Sequence, residues 1–190
     1  LATVNGQPLV FFAAGNGMVY AFEPMQNGVM ESRSDGVVDK SPSIQYSNTP
    51  ALQPPAPIPH PAFLRQVWQF DFDPAGPKTN VHKYTSNRRE SPSDFFGMPV
   101  FDNNRIYVAG GGDIWWGKNE AWLKCIDATR TGDITTNGLV WSYPLQKHVL
   151  STPAIYKGLA FIADCGPAIH CVDAQTGKPF WTHEIKGEAW

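Results

Sequence analysis

The 190-residue sequence predicts an all-β chain built from three copies of one four-stranded antiparallel sheet. The segment CVDAQTGKPFW, Cys171 to Trp181, reads as a strand, a tight turn and a returning strand. Looser versions of it occur at Cys125 to Asp133 and at Ala21 to Gly28. Short apolar, partly β-branched runs of strand length recur between Gly, Asn and Pro punctuation, and no amphipathic helix is needed anywhere.

Residues 1 to 72 supply the first sheet. Leu1 to Val4 reads as a strand, and Leu9 to Ala14 and Met18 to Phe22 are strands joined across Gly15-Asn16-Gly17, a strong hairpin signal. The Ala21 to Gly28 copy carries Glu23 in the place of the acid and Asn27-Gly28 as its turn. Its tryptophan is Trp68, on the alternating strand Arg65 to Phe72. Between them, residues 29 to 64 form an insertion with six prolines from Pro50 to Pro61. Such a run cannot enter a sheet interior and favours extended polyproline. It is either a surface wrap or a docking arm for a partner chain.

Residues 73 to 96 form a long polar connection between sheets, with His82, Lys83, Tyr84, Arg88, Arg89 and Glu90 close together. Connections of this length are usually functional or disordered. Tyr84, Phe95 and Phe96 offer anchors for an ordered one.

The second sheet spans residues 97 to 146, with strands at Gly97 to Phe101, Arg105 to Ala109, Trp122 to Ile126 and Leu139 to Tyr143. Its copy of the motif has Asp127, Gly132 and, after an insertion, Trp141. The third sheet, 147 to 186, is the most regular: Thr152 to Tyr156, Leu159 to Ala163, Ala168 to Val172 and Pro179 to Ile185. Here Asp173 and Thr176 can bend their side chains onto backbone N–H groups, and Gly177 supplies a positive φ. Trp181 then lies four residues past the glycine, and its indole is too large for one hairpin to bury.

Antiparallel four-stranded sheets in tandem are the blades of a β-propeller. Three blades do not close a ring, so the expectation is a partial β-propeller whose remaining blades come from further sequence or another chain. Residues 187 to 190 read as the opening of a further blade, which makes this chain a piece of a longer one.

Composition narrows the function classes. The formal net charge is −2, and Lys and Arg are scattered, so nothing points to nucleic acid or an anionic membrane surface. No apolar run approaches the ~20 residues that span a bilayer. The three cysteines do not suggest a disulfide framework. Cys125 and Cys171 read as small hydrophobes, while Cys165 and Cys171 flank a turn and can alternatively pair across a hairpin.

In register, Cys171, Asp173, Thr176, Gly177 and Trp181 resemble the tryptophan-docking motif of the pyrroloquinoline-quinone (PQQ) like, quinoprotein-type β-propeller repeat family. Asp127, Gly132 and Trp141 follow it more loosely. The 97 to 190 half is similar to bacterial secreted proteins described as PQQ-binding-like propeller repeat proteins. The resemblance implies a periplasmic or extracellular location. It does not by itself imply a cofactor, because the same repeat builds quinoprotein dehydrogenases and the cofactor-free outer-membrane assembly lipoprotein of Gram-negative bacteria.

Strand order sorts the loops by face. Gly15-Asn16-Gly17, the 73 to 96 connection, the GGGDIWWGKNE loop and Asp164 to Pro167 should share one face, with the proline-rich insertion opposite. In propeller enzymes resembling this chain, that shared face holds the ligand. The candidates there are Asp113, Trp115, Trp116, Lys118, Glu120, Arg88, Arg89 and Glu90, since indole faces stack rings and Arg grips carboxylates. Trp115, Trp116 and Trp122 can equally serve as hairpin caps, and the NRRE cluster as a solvated salt-bridge group. No residue is assigned a catalytic or metal-ligating role, and the calcium site and adjacent cysteine pair of the quinoprotein dehydrogenases find no counterpart here. The expectation is a non-catalytic binding or scaffold module of the bacterial envelope with a protein partner and no cofactor. The alternatives are a fragment of a PQQ- and calcium-dependent oxidoreductase and a carbohydrate- or small-ligand-binding propeller.

Overall fold

One row of side chains is built three times across neighbouring strands: an aromatic ring, a small residue and a tryptophan. The rows are Phe11–Ala21–Trp68, Tyr107–Cys125–Trp141 and Phe161–Cys171–Trp181. The aromatic and indole centroids lie 5.8, 5.9 and 6.0 Å apart. A larger residue between them would push these rings apart, which explains the alanine and the two cysteines. Each row is followed by a bulge, after Ala21, Cys125 and Cys171.

The computed structural model describes residues 1–24, 64–84 and 86–187. The Asn27-Gly28 turn, the proline-rich insertion short of Leu64, and the last three residues of the expected further blade lie outside the described residues. Blade 1 runs β1 (Ala2–Val4), β2 (Gln7–Ala14), β3 (Met18–Pro24) and β4 (Leu64–Asp71). Blade 2 runs β5 (Val100–Asp102), β6 (Arg105–Gly111), β7 (Ala121–Asp127) and β9 (Leu139–Pro144), with β8 (Gly132–Asp133) in the loop before β9. Blade 3 runs β10 (Ala154–Tyr156), β11 (Leu159–Ala163), β12 (Ala168–Asp173) and β13 (Pro179–Glu184). The chain is all-β, and its three sheets do not close a ring.

Two readings change. The first sheet has five strands, because β8 leaves its own hairpin and pairs in parallel with β4, Trp68 opposite Gly132 and Gln69 opposite Asp133. The residues that make the second motif irregular in sequence therefore cover the edge of the blade before it. Glu23, expected as the acid of a turn that lies outside the described residues, sits on β3 opposite Arg65 and forms an ion pair with it. No disulfide joins Cys165 to Cys171. Cys171 instead lies buried in its row, between Phe161 and Trp181.

Strand periodicity of two sends alternate residues of blade 2 to opposite sides. Ile106, Val108 and Ile126 join Trp68, Phe70 and Phe72 in one apolar cluster, shared with blade 1. Tyr107, Ala109, Leu123 and Cys125 join Trp141, Ile162 and Val172 in a second, shared with blade 3. The middle blade is thus buried on both faces.

Two tryptophans fasten blade to blade by the same device. The Trp68 Nε1–H donates to the carbonyl of Ala128, which follows Asp127, at 3.2 Å. The Trp141 Nε1–H donates to the carbonyl of Ala174, which follows Asp173, at 3.0 Å. The acids shape the turns that present those carbonyls. Asp173 Oδ1 accepts the Thr176 hydroxyl and the Gln175 and Thr176 N–H groups, and Asp127 Oδ1 accepts the Thr129 hydroxyl and N–H. The Thr176 hydrogen bonds hold the Asp173 carboxyl below its ordinary range. Burial raises that of Asp127, but the Thr129 and Arg130 bonds outweigh it and lower it.

Candidate functional site

The loops between second and third strands and between blades meet at one end of the sheets. Their framework is a buried ion pair. Phe72 ends blade 1 inside the first apolar cluster, packed edge-on against Phe95 at 5.0 Å, which carries Asp73 into the interior. There the Asp73 carboxylate accepts the Lys118 ammonium and, at 2.8 Å, the Ser93 hydroxyl. Burial raises the Asp73 pKa, yet these bonds outweigh it and keep the group below the ordinary carboxylate range. The Lys118 N–H donates to Ser91 Oγ at 2.8 Å, and Asp94 exchanges backbone hydrogen bonds with Gly111. The 73 to 96 connection is therefore tied to blade 2 and turns through a short 3-10 segment, Val81–Tyr84.

On this framework the Gly112 to Lys118 loop is held tightly. Asp113 Oδ1 accepts the N–H groups of both Trp115 and Trp116 at 2.8 Å, and the Gly117 N–H donates to the Asp113 carbonyl at 2.8 Å. The Arg88 guanidinium donates to the Trp115 carbonyl at 2.8 Å. A Cβ at Gly117 would stand 2.1 Å from the Asp113 nitrogen, so only glycine allows this closure. The result is a fixed loop whose indoles point outward: Trp115 is 62% and Trp116 55% exposed.

The candidate residues thus separate. Asp113, Trp115, Trp116 and Arg88 come together. Lys118 is buried at 6% exposure and committed to Asp73, so it is a framework residue and not a ligand-facing cation. Glu120 is exposed, and its carbonyl accepts the Gly112 N–H. Arg89 and Glu90 are exposed beside Asn87, whose Oδ1 accepts both of their N–H groups and whose amide donates to the Glu90 carboxylate. Trp122 is half-buried against Phe72, with the Lys118 and Lys124 ammonium groups 5.6 and 5.3 Å from its ring centre.

A cleft of about 270 Å³ opens beside the Trp loop, lined among others by Gly15, His82, Tyr84, Asp94, Asp113 and Trp116. Three separate loops therefore meet here, as strand order requires. Asp94 is the lining carboxylate that sequence reasoning did not single out. Burial, then repulsion from Asp113, pushes its carboxyl up to about 6. Its only local signal is the SPSD run, which names no chemistry.

Blades 2 and 3 are locked at the same end by a second buried network. His170 Nε2 lies 3.1 Å from Asp164 Oδ2, and its Nδ1 lies 3.1 Å from the Tyr143 hydroxyl. Asp164 also accepts the Gln146, Lys147 and Gly166 N–H groups, so it is fully used in positioning the inter-blade connection.

A PQQ and calcium site needs converging oxygen ligands. Among the described residues no group of three or more His, Cys, Asp or Glu side chains is placed to hold a metal ion.

No family model matches the sequence, and no curated protein matches it at the sequence level. Among solved structures, the chain is similar to BamB from Moraxella catarrhalis, with 11% identity, 96% of this chain and 35% of that one covered, and a TM-score of 0.48. It is similar to a europium-containing methanol dehydrogenase, with 13% identity, 97% and 24% covered, and a TM-score of 0.49. It is also similar to the quinohemoprotein alcohol dehydrogenase ADHIIG from Pseudomonas putida HK5, with 15% identity, 94% and 19% covered, and a TM-score of 0.47. The chain spans between about a fifth and about a third of the length of these structures. No helix among the described residues is long and apolar enough to cross a membrane.

Proposed function

We propose that this chain is part of a non-catalytic β-propeller binding module of the bacterial envelope, and that its loop-bearing end recognises a partner. The observation that carries this reading is the Gly112 to Lys118 loop. A protein that only needed to close a hairpin would have no reason to hold two indoles more than half exposed on backbone fixed by Asp113 and Arg88. Large rigid aromatics on an ordered loop cost little conformational entropy on binding and are the residue type enriched at the centre of interfaces. Two of the charged groups around them serve the framework, Lys118 on Asp73 and Arg88 on the Trp115 carbonyl, which leaves the indoles prominent on this surface.

The test is co-purification of the protein under native crosslinking, compared with Trp115→Ala and Trp116→Ala variants of unchanged melting temperature. Loss of a specific crosslinked partner in both variants supports the reading. Retention of the partner moves recognition elsewhere. Dye-linked alcohol oxidation after addition of PQQ and calcium would replace it with the oxidoreductase.

A further inference from the structure

We infer that the cleft beside the Trp loop binds an alkylammonium group, with Trp116 and Tyr84 as its aromatic walls and the Asp94 and Asp113 carboxylates as its counter-charge. The inference rests on reading this end of the molecule as the recognition surface, and it names the chemistry recognised.

The lining sorts the ligand classes. A pocket of about 270 Å³ takes a group of a few heavy atoms up to a small ring, not an extended chain. Two of its residues are carboxylates, and three of the bases nearby are engaged elsewhere. Lys118 is paired with Asp73, and Lys78 is bound to Asp71 at 2.8 Å and to the Asp73 carbonyl. Arg88 is on the Trp115 carbonyl. The titratable groups that share the cleft with the two acids are His82 and Tyr84. An anionic ligand would therefore meet like charge.

A neutral sugar would use the indole but leave the carboxylates without a positive partner. Asp113 spends one oxygen on the Trp115 and Trp116 N–H groups, so its charge is anchored at the base of the Trp116 side chain. Asp94 lies beside Gly15 in the cleft lining, where an added Cβ would lie 3.7 Å from its Oδ1. The absence of a side chain at Gly15 keeps that carboxylate reachable. A cation here gains both the charge attraction and the negative faces of the aromatic rings. It also removes the repulsion between Asp94 and Asp113, which already disfavours ionisation of Asp94.

The ammonium can belong to a free small molecule or to a lysine side chain of a protein partner. Both present the same group, and the probes separate them. Tryptophan fluorescence and calorimetry on the intact protein would follow titration with tetramethylammonium, n-butylammonium and 3,3-dimethylbutan-1-ol, a neutral molecule with the shape of a trimethylammonium alcohol. An N-acetyl-lysine-amide arm reports on the peptide source, and glucose on a sugar site. The expected result is saturable binding of the cations, with the neutral alcohol at least about tenfold weaker. Asp94→Asn and Trp116→Ala should each weaken the cations by about tenfold, and Trp116→Phe by less. Between about pH 7.5 and about pH 5 the affinity should fall as Asp94 takes up its proton.

Gly15→Ala provides a check independent of the charged groups. Its Cβ makes ordinary contacts, so the fold is kept, while the added methyl beside Asp94 should penalise tetramethylammonium more than n-butylammonium. Equal binding of the neutral alcohol, preference for glucose, or no saturation by any cation would overturn the inference. If any of these occurred while partner capture still depended on Trp115, the binding-module reading would stand and only the alkylammonium assignment would fall.

Discussion

Trp141 and Trp181 hold the same place in successive repeats, each opposite a cysteine and beside an aromatic ring, yet Trp141 is 7% and Trp181 46% exposed. The difference lies entirely beyond the hairpin. Trp141 has the next blade's turn to lie on: its ring touches the space above Gly177, and its N–H reaches the Ala174 carbonyl. Among the described residues, Trp181 has Phe161 at 6.0 Å. The motif thus specifies a hairpin locally and a junction only when a neighbour is present. Blade stability in such a fold is a property of pairs.

That comparison can be broken most directly at the docked indoles. Trp141→Ala and Trp68→Ala should each cost about 4 kcal/mol in urea unfolding, because a buried ring and a satisfied N–H are both lost. Trp181→Ala should cost less than about 1 kcal/mol in the same experiment. A Trp181→Ala cost matching that of Trp141→Ala would show that another blade covers Trp181 in solution.

The turn glycines give the next largest contrast. Gly177 has φ +71°, and a Cβ would fall 2.7 Å from the Trp141 ring, whereas Gly132, with φ +79°, has nothing within 4 Å. Gly177→Ala should therefore cost about 3 kcal/mol and Gly132→Ala only about 1 kcal/mol, the backbone strain alone. Equal costs in denaturant melts would mean that Trp141 does not rest on the turn.

How much of this was legible in the sequence follows from the same residues. Gly177 and Trp181 announce a hairpin because Thr-Gly and a four-residue spacing are local chemistry, and the three blades and their strand order follow from such local signals. Gly132 carries the same dipeptide but opens β8, because its fate is decided by hydrogen bonding to β4 some sixty residues earlier. At the site, Asp113, Trp115 and Trp116 were visible as an unusual loop. Lys118 looked equally available, and only its meeting with Asp73 across 45 residues shows that it is buried. Asp94 was invisible for the converse reason: its significance comes from facing Asp113 and Gly15 in space.

The smallest effects separate two kinds of aspartate. The Thr176 bonds depress the Asp173 pKa, so its stabilisation is complete above about pH 4, the unfolded value, and is lost as pH falls through the lower folded value. Asp94 has the opposite sign. Its folded pKa is about 6, above the unfolded value, so its ionisation penalises the fold progressively from about pH 4 to about pH 6. In melting curves across pH, Asp173→Asn should flatten the acid limb, and Asp94→Asn should remove the decline toward pH 6. An unchanged decline in Asp94→Asn would place that titration on another group.

The short β8 strand has a kinetic consequence. By lending two residues to the edge of blade 1, it gives blades 1 and 2 a shared backbone ladder, whereas blade 2 holds blade 3 through the Trp141, Tyr107 and Arg105 side chains on the Ala174 and Gln175 carbonyls. Opening the first junction must break a sheet ladder as well as an apolar cluster, while opening the second breaks an apolar cluster and side-chain hydrogen bonds but no ladder. Amide hydrogens of β3, β4 and β7 should then exchange together as one cooperative unit, and those of β11 and β12 should exchange sooner, so that the second junction opens before the first.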